Sequence, residues 1–480
     1  MTAIERRPML VGDRFTASES GGWMTTLDPS TAEPIAAVPV ATRDDVSRAV
    51  ERGLRAQRDW AARQPLERAE ALRAFAARVR ELAPELCRID AEDCGIPIRT
   101  MEAEVRTGAS YLDYFAGLVL ELKGQTIPAT VGNLHYTVRE PFGVVGRIIP
   151  YNHPVMFACE KIAAPLAAGN AVVLKPAEQT PLSALRLAAL ALEVLPPGLV
   201  SVLTGDGQTT GAAIVAHPAI QRLAFTGGVA TGQEVLRASA ASLKEVSLEL
   251  GGKNPMIVFP DAAVAAAAEA AVTGMNFQIS AGQSCGSNSR ILVHRDLYEP
   301  FLERFLARVR ALRLGPAVDP QTEMGPLITD THRDRVCGYI RSATEEGARL
   351  LSGGSVPQDR AGYFVEPTVF DRVSPGMRIA EEEIFGPVVT LFAWDHVDEM
   401  LQLANGVRYG LTANIWTNDL RQGHRVAAAL EVGYVWVNGN GRHYVGTPFG
   451  GYKASGIGRE ESIDELFSYT RVKTVNVILE

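Results

Sequence analysis

The chain has 480 residues, of which 46% are apolar and 21% charged, with 44 glycines. Such a length supports roughly two to four domains, with cores large enough to need no disulfide or metal staple. Lys and Arg number 47 and Asp and Glu 55, a formal net charge of −8. That balance sets aside disordered, collagen-like and disulfide-scaffold chains, and with them a nucleic-acid partner, which a basic surface would suit.

The first residues, MTAIERRPMLVGDRF, contain no apolar core of a signal peptide. The Ala-rich stretch 262–272 is interrupted by Glu269 and falls far short of the ~18 residues of a membrane span. Five cysteines (Cys87, Cys94, Cys159, Cys285 and Cys337) are too sparse for a disulfide framework. The expectation is a reduced, cytoplasmic protein with no membrane partner.

Leu72, Phe75, Val79, Leu82, Leu86 and Ile89 recur at helical spacing and form one amphipathic stripe. The stretch 134–139 alternates like an exposed antiparallel strand. From about 143, short apolar runs alternate with helical stretches: strand 143–149, helix 155–168, strand 171–175, helix 181–195, strand 200–203. A helix near 209–216, strand 222–226, helix 231–240 and strand 245–250 follow. This is the pattern of βαβ units around a parallel sheet, which binds ligands at the carboxyl ends of its strands. The alternation restarts after Gly251 with strand 255–259, helix 262–278, strand 291–295 and helix 296–312, a second α/β domain. The tail, 470–479, is a strand-like run with no later partner; another subunit would cover it.

Three short patterns invite misreading. Gly205 to Gly211 has one residue too many for G-x-G-x-x-G and more readily caps and turns the chain. Gly282-Gln-Ser284-Cys285-Gly286 fits the G-x-S-x-G of serine hydrolases, with His443 as a distant base. That motif needs a strand before it and a helix after it, and here the order is reversed. The eight histidines form no metal-ligand spacing, so no metal is expected. Cys285 lies between a helix end and a strand, flanked by Gly282 and Gly286, an open setting that suits a nucleophile. A free cysteine is as readily a small buried hydrophobe, and this segment alone does not separate the two.

Seven segments in order resolve that choice: Pro150-Tyr-Asn-His-Pro154, Lys175-Pro-Ala-Glu178, Phe225-Thr-Gly-Gly-Val-Ala-Thr-Gly232, Leu248-Glu-Leu-Gly-Gly-Lys-Asn-Pro255, Gly282-Gln-Ser-Cys285, Glu383-Ile-Phe-Gly-Pro387 and Pro448-Phe-Gly-Gly-Tyr-Lys-Ala-Ser-Gly456. In these, over nearly the whole chain, the sequence resembles the NAD(P)-dependent aldehyde dehydrogenase superfamily. The resemblance implies Cys285 as nucleophile, Asn152 with the Cys285 N–H as oxyanion donors, and Glu249 as the base that activates water. The chemistry needs these types: a thiolate to make the tetrahedral carbon, fixed donors for its oxygen and a carboxylate to hydrolyse the thioester.

The resemblance also implies NAD as cofactor. Lys175, which it places in the catalytic set too, and Glu178 would reach the adenosine ribose, where the carboxylate disfavours the extra phosphate of NADP. Ile149, Pro150, Gly211, Phe225, Thr226, Gly227, Gly228, Gly232, Leu250, Glu383 and Phe385 complete the implied cofactor site. Two departures stand out: Tyr151 replaces the usual Trp, and Gly228 a frequent Ser. The substrate pocket is expected from His153, Phe157, Glu160, His443 and Tyr444, whose polar groups favour a polar or charged aldehyde. An amino-aldehyde facing Glu160 and an anionic aldehyde facing the histidines both fit.

The implied fold is α/β: a doubly wound cofactor domain (1–119 and 142–251), a catalytic α/β domain (252–453), and a β oligomerisation element with the tail (120–141 and 454–480) that builds a homodimer or homotetramer. Motif glycines are expected where backbone approaches cofactor or substrate. The alternatives are a CoA-acylating enzyme, against which Glu249 argues, a catalytically silent protein of this fold, and the serine hydrolase.

Overall fold

The computed structural model describes residues 4–19 and 21–479. Two sheets organise the chain, each with its own hydrophobic core. In the first, the strands Glu245–Glu249, Ile220–Thr226, Val144–Ile148, Ala171–Lys175 and Val200–Val202 run parallel in that spatial order. The central strand Ala171–Lys175 is a nearly continuous apolar run, buried along its whole length, as a strand covered on both faces requires. Antiparallel strands close both ends, Gly456–Ile457 beside Glu245–Glu249 and Met9–Val11 beside Val200–Val202.

The second sheet has seven strands, with Pro255–Val258, Arg290–His294 and Val388–Trp394 adjacent and parallel at its centre. Phe259 and Trp394 meet edge to face in its core, ring centroids 5.0 Å apart. The expected stripe of 72–89 divides into two helices, Pro65–Glu81 and Ala83–Cys94, with Leu82 at the joint and a proline in the first turn of the second. Pro84 suits a first helical turn, where its missing N–H costs nothing.

Three expectations are corrected. The two strands read as orphans pair with each other: Thr470–Val477 runs antiparallel to Leu134–Pro141 along its whole length, and Thr126–Ile127 lies on the far side. The tail strand therefore needs no second subunit to satisfy its backbone on that edge. The residues just before it do not belong with the tail. Gly456–Ile457 joins the first sheet, and Leu466 and Tyr469, with no exposed surface, enter the first core. The stretch near 209–216 is a single π-turn, Gly207–Gly211, followed by the short helix Ala212–Ala216. Among the described residues no helix is long and apolar enough to cross a membrane.

Candidate active site

Strand register brings the site together. Thr226 lies opposite Glu249, Phe225 opposite Ile148, and Ile148 opposite Lys175, all at the carboxyl edge of the first sheet. After Ile148 the chain turns through Ile149, Pro150, Tyr151 and Asn152 into the helix Pro154–Ala167. That turn is clamped from below. The Asp90 Oδ2 accepts the N–H of Val155 at 2.8 Å, and the Cys94 thiol donates to the Tyr151 carbonyl at 3.0 Å. Cys94 thus helps position the turn that carries Asn152.

Cys285 arrives from the second domain. The helix expected to run to Gln278 stops at Gly274. Asn276 (φ 56°) and Ala281 (φ 50°) then take left-handed backbone around the short helix Phe277–Ser280. Such conformations cost non-glycine residues about 1–3 kcal/mol and persist only where the surroundings enforce them. Here Asn288 N–H closes back on the Gly274 carbonyl at 2.9 Å. On the facing side, a Cβ at Gly252 would sit 2.7 Å from the Cys285 carbonyl oxygen, and one at Gly251 only 1.9 Å from Glu383 Oε2. These two glycines let the Cys285 and Glu383 loops close over Glu249.

Two cavities meet at that point. One of about 490 Å³ is lined by His153, Glu160, His443 and Tyr444 among others. One of about 270 Å³ is lined by Pro150, Tyr151, Asn152, Thr226, Gly227, Gly228, Glu383 and Phe385. Phe157, Glu249 and Cys285 line both. Ile149, Phe225, Gly232 and Leu250 do not line the second cavity. A Cβ at Gly227 would strike the Phe225 ring at 2.5 Å, and one at Gly232 would strike Leu250 at 2.7 Å. The glycine expectation is corrected accordingly. Most motif glycines make room for protein, whereas Gly228 and Gly286 have nothing within 4 Å of a built Cβ. Lys175 and Glu178 form a separate group, Nζ to Oε2 3.6 Å, and the Lys175 stem lies 3.8 Å from the Cβ position of Gly211.

The electrostatics match a site at rest. Burial pushes the Glu249 carboxyl well above the usual carboxylate range, and Glu460 adds to this. Burial likewise pushes the Cys285 thiol up, reinforced by the neighbouring Glu249. Glu249 Oε1 and Asn152 Oδ1 are buried without a protein partner. An unmet buried polar atom costs about 1–3 kcal/mol, so the two mark where a ligand's polar atoms belong. Lys175 is held below its ordinary value by burial, which the Glu178 carboxylate partly offsets.

Tyr151 fills the place of the usual Trp. Its hydroxyl donates to Gln283 Oε1 at 3.3 Å, and its ring meets Phe385 edge-on with centroids 6.0 Å apart. Phe385, at φ 60°, is turned out of the core by its backbone. Ser284 lines the larger cavity, but a short helix precedes it and the strand Arg290–His294 follows. His443 Nδ1 is engaged by Glu461 at 2.7 Å. The nucleophile elbow of a serine hydrolase is absent.

Sequence reasoning passed over several lining residues. On the cofactor side these include His332 and Arg335, which donates to the Glu383 carbonyl at 3.0 Å. On the other side they include Glu104, Tyr111, Lys161 and Glu461. Lys161 corrects the expectation for Glu160, because its Nζ is hydrogen-bonded to the Glu160 carboxylate and to Glu460. No motif marked these residues; only the helical phase of 98–117 could have pointed Tyr111 inward.

Known proteins share this fold. The model of the aldehyde dehydrogenase family matches residues 15–475. The chain is similar to aldehyde dehydrogenase tropH of Talaromyces stipitatus, 44% identical over 477 residues, 96% of this chain and 92% of that one. Among solved structures it is similar to an aldehyde dehydrogenase of Bacillus cereus in complex with NAD+ (TM-score 0.96, 39% identity, 99% of this chain and 97% of that one). It is also similar to betaine aldehyde dehydrogenase of Staphylococcus aureus in complex with NAD+ (TM-score 0.95, 34% identity, 99% and 95% of the chains).

Proposed function

The chain belongs to the aldehyde dehydrogenase family, and we propose that it oxidises a polar or charged aldehyde to the carboxylic acid with NAD, through a covalent adduct on Cys285. The observation that carries this reading is the meeting of two cavities at Cys285 and Glu249. One cavity receives the aldehyde and the other the cofactor, so the reacting carbon sits at their junction.

The smaller cavity fits NAD. It lies at the carboxyl edge of the parallel sheet, and the N-terminus of the helix Val229–Ala240 opens beside it with unfilled space at Gly228. Free amides there suit a pyrophosphate. Lys175 and Glu178 would hold the adenosine ribose, with Glu178 disfavouring NADP. Glu383 and Phe385 would hold and pack against the nicotinamide half.

The Cys285 thiol gives up its proton to solvent, and the thiolate Sγ attacks the aldehyde carbon. A C–S bond forms, and the oxygen of the new tetrahedral centre rests on the Asn152 amide and the Cys285 N–H. NAD, when bound, accepts the hydride that leaves this carbon. A thioester remains on Cys285. Glu249, ionised, then takes a proton from water as the water oxygen attacks the thioester carbon; the C–S bond breaks, that proton passes from Glu249 to the Cys285 sulfur, and the acid departs. Glu249 favours hydrolysis over transfer to CoA. The reading places the enzyme in the cytoplasm as a homodimer or homotetramer assembled through the 134–141 and 470–477 sheet.

The test is NADH formation across an aldehyde panel, with NAD and with NADP, for the wild type and Cys285→Ala. Small polar aldehydes should be turned over with NAD, and the variant should be inactive. No reduction with any aldehyde would overturn the reading, and octanal used as well as polar aldehydes would overturn its substrate class.

A further inference from the structure

Four carboxylates, Glu104, Glu160, Glu249 and Glu461, line the larger cavity against three cations, Arg106, Lys161 and Arg442. Counting alone favours a cationic substrate. The hydrogen bonds say otherwise. Glu104 Oε2 is engaged by His153 Nδ1 at 2.9 Å. Glu461 Oε1 is engaged by His443 Nδ1 at 2.7 Å, and its Oε2 accepts the Tyr111 hydroxyl at 2.6 Å. Glu160 is engaged by the Lys161 ammonium. Every wall carboxylate except Glu249 is thus committed to a donor of this chain.

The histidines and the rim arginine also keep polar atoms free. Nε2 of His153 and Nε2 of His443 have no protein partner among the described residues, and neither is sealed from solvent. His332 in the neighbouring cavity differs, since its Nε2 is bonded to the Phe385 carbonyl at 2.7 Å. Arg442 stands exposed at the rim, its guanidinium 5.1 Å from the centre of the Tyr444 ring. No carboxylate pairs with it among the described residues. His443 is held rigidly, its ring centroid 4.4 Å from that of Phe449 and stacked on Tyr434 at 6.0 Å.

A carboxylate on Nδ1 fixes a histidine's plane and favours the imidazolium, which turns Nε2 into an N–H donor. At His443 the Glu461 carboxylate outweighs burial and lifts the ring above its ordinary value. We propose that the aldehyde taken by this site carries a carboxylate remote from its carbonyl, received by Nε2 of His443 with Arg442 at the rim. This rests on the reading of the cavity as the aldehyde site. An ammonium would have to share Glu104, Glu160 and Glu461 with donors of this chain that already hold them.

The experiment compares three matched four-carbon aldehydes with the full-length enzyme and NAD: 4-oxobutanoate, butanal and 4-aminobutanal. The carboxylate should exceed butanal in kcat/KM by about 10-fold or more, and the ammonium should be poorest, as charge-assisted hydrogen bonds imply. In His443→Phe the carboxylate-to-butanal ratio should fall about 10-fold or more, chiefly through KM. Arg442→Ala, at an exposed rim, should lower the same ratio and carries the test if the first variant does not fold. A preference for 4-aminobutanal, or ratios unmoved in both variants, would overturn the inference alone. No NADH from any of the three would overturn the reading beneath it as well.

Discussion

Asn254 holds the main chain of Cys285. Its Nδ2 donates to the Cys285 carbonyl at 2.7 Å and to the Ser287 carbonyl at 3.0 Å, while its Oδ1 accepts the Thr412 N–H at 3.0 Å. One buried carboxamide therefore ties the proposed nucleophile's loop to the strand Thr412–Trp416 of the second sheet. Asn254→Ala leaves three main-chain groups unmet, a cost on the order of 3 kcal/mol. Misplacing the sulfur by a fraction of an ångström should lower kcat about 10- to 100-fold, with KM for NAD little changed. Asn254→Asp should do worse, because a carboxylate would then face two carbonyl oxygens. Thermal unfolding and steady-state kinetics check both, and a kcat within about twofold of wild type in Asn254→Ala would show that the loop holds itself.

Glu249 and Cys285 can be separated in time. If Glu249 activates the hydrolytic water, Glu249→Gln should still form NADH once per site when mixed at a pH that ionises the thiol, and then stall at the thioester. Steady-state kcat should fall about 100-fold or more, the scale of a lost general base. Rapid mixing with absorbance at the NADH band reads the burst. A slow, linear trace without a burst would assign Glu249 to the first proton transfer instead.

Much of this site was legible because its parts are local. Runs such as AVVLK and GVVGRII announce buried parallel strands without help from the rest of the chain. The motif loops then fall at the strand ends, where parallel sheets present ligand-binding groups. What escaped depends on distant partners. Val472 sits opposite Arg139, and nothing near either residue specifies the other. The commitment of Glu160 to Lys161 and of Glu461 to His443 and Tyr111 is equally silent in one dimension. The Ala-rich run keeps helical propensity as far as Val272, but Gly274 and Asn276 are poor helix formers, and the chain turns left-handed at Asn276.

Glu178 should set cofactor choice. It is part-exposed and lies 3.6 Å from Lys175 Nζ. Glu178→Gln removes the negative charge that would face a ribose phosphate and also frees the Lys175 ammonium to meet it. The ratio of kcat/KM for NAD over NADP should fall about 10-fold, more at low ionic strength, where screening is weak. Assays at two salt concentrations check the direction and its origin. An unchanged ratio would place the selectivity elsewhere.

Glu383 gives the cofactor side a pH dependence. Burial lifts its carboxyl to about 7, against the pull of the Gly252 N–H, which donates to Oε1 at 3.0 Å. Below that value the carboxyl keeps its proton and accepts a ribose hydroxyl poorly. The KM for NAD should therefore fall as pH rises from about 6 to 8, and Glu383→Gln should have a higher KM with a flat profile. Stability runs the other way. Because the folded value lies above the ordinary 4.5, folding favours the protonated form, and its contribution is complete below about 4.5 and lost as pH climbs through about 7. Urea midpoints should therefore shift in favour of Glu383→Gln over that window. A wild-type KM that stays constant from pH 6 to 8 would remove Glu383 from the ribose.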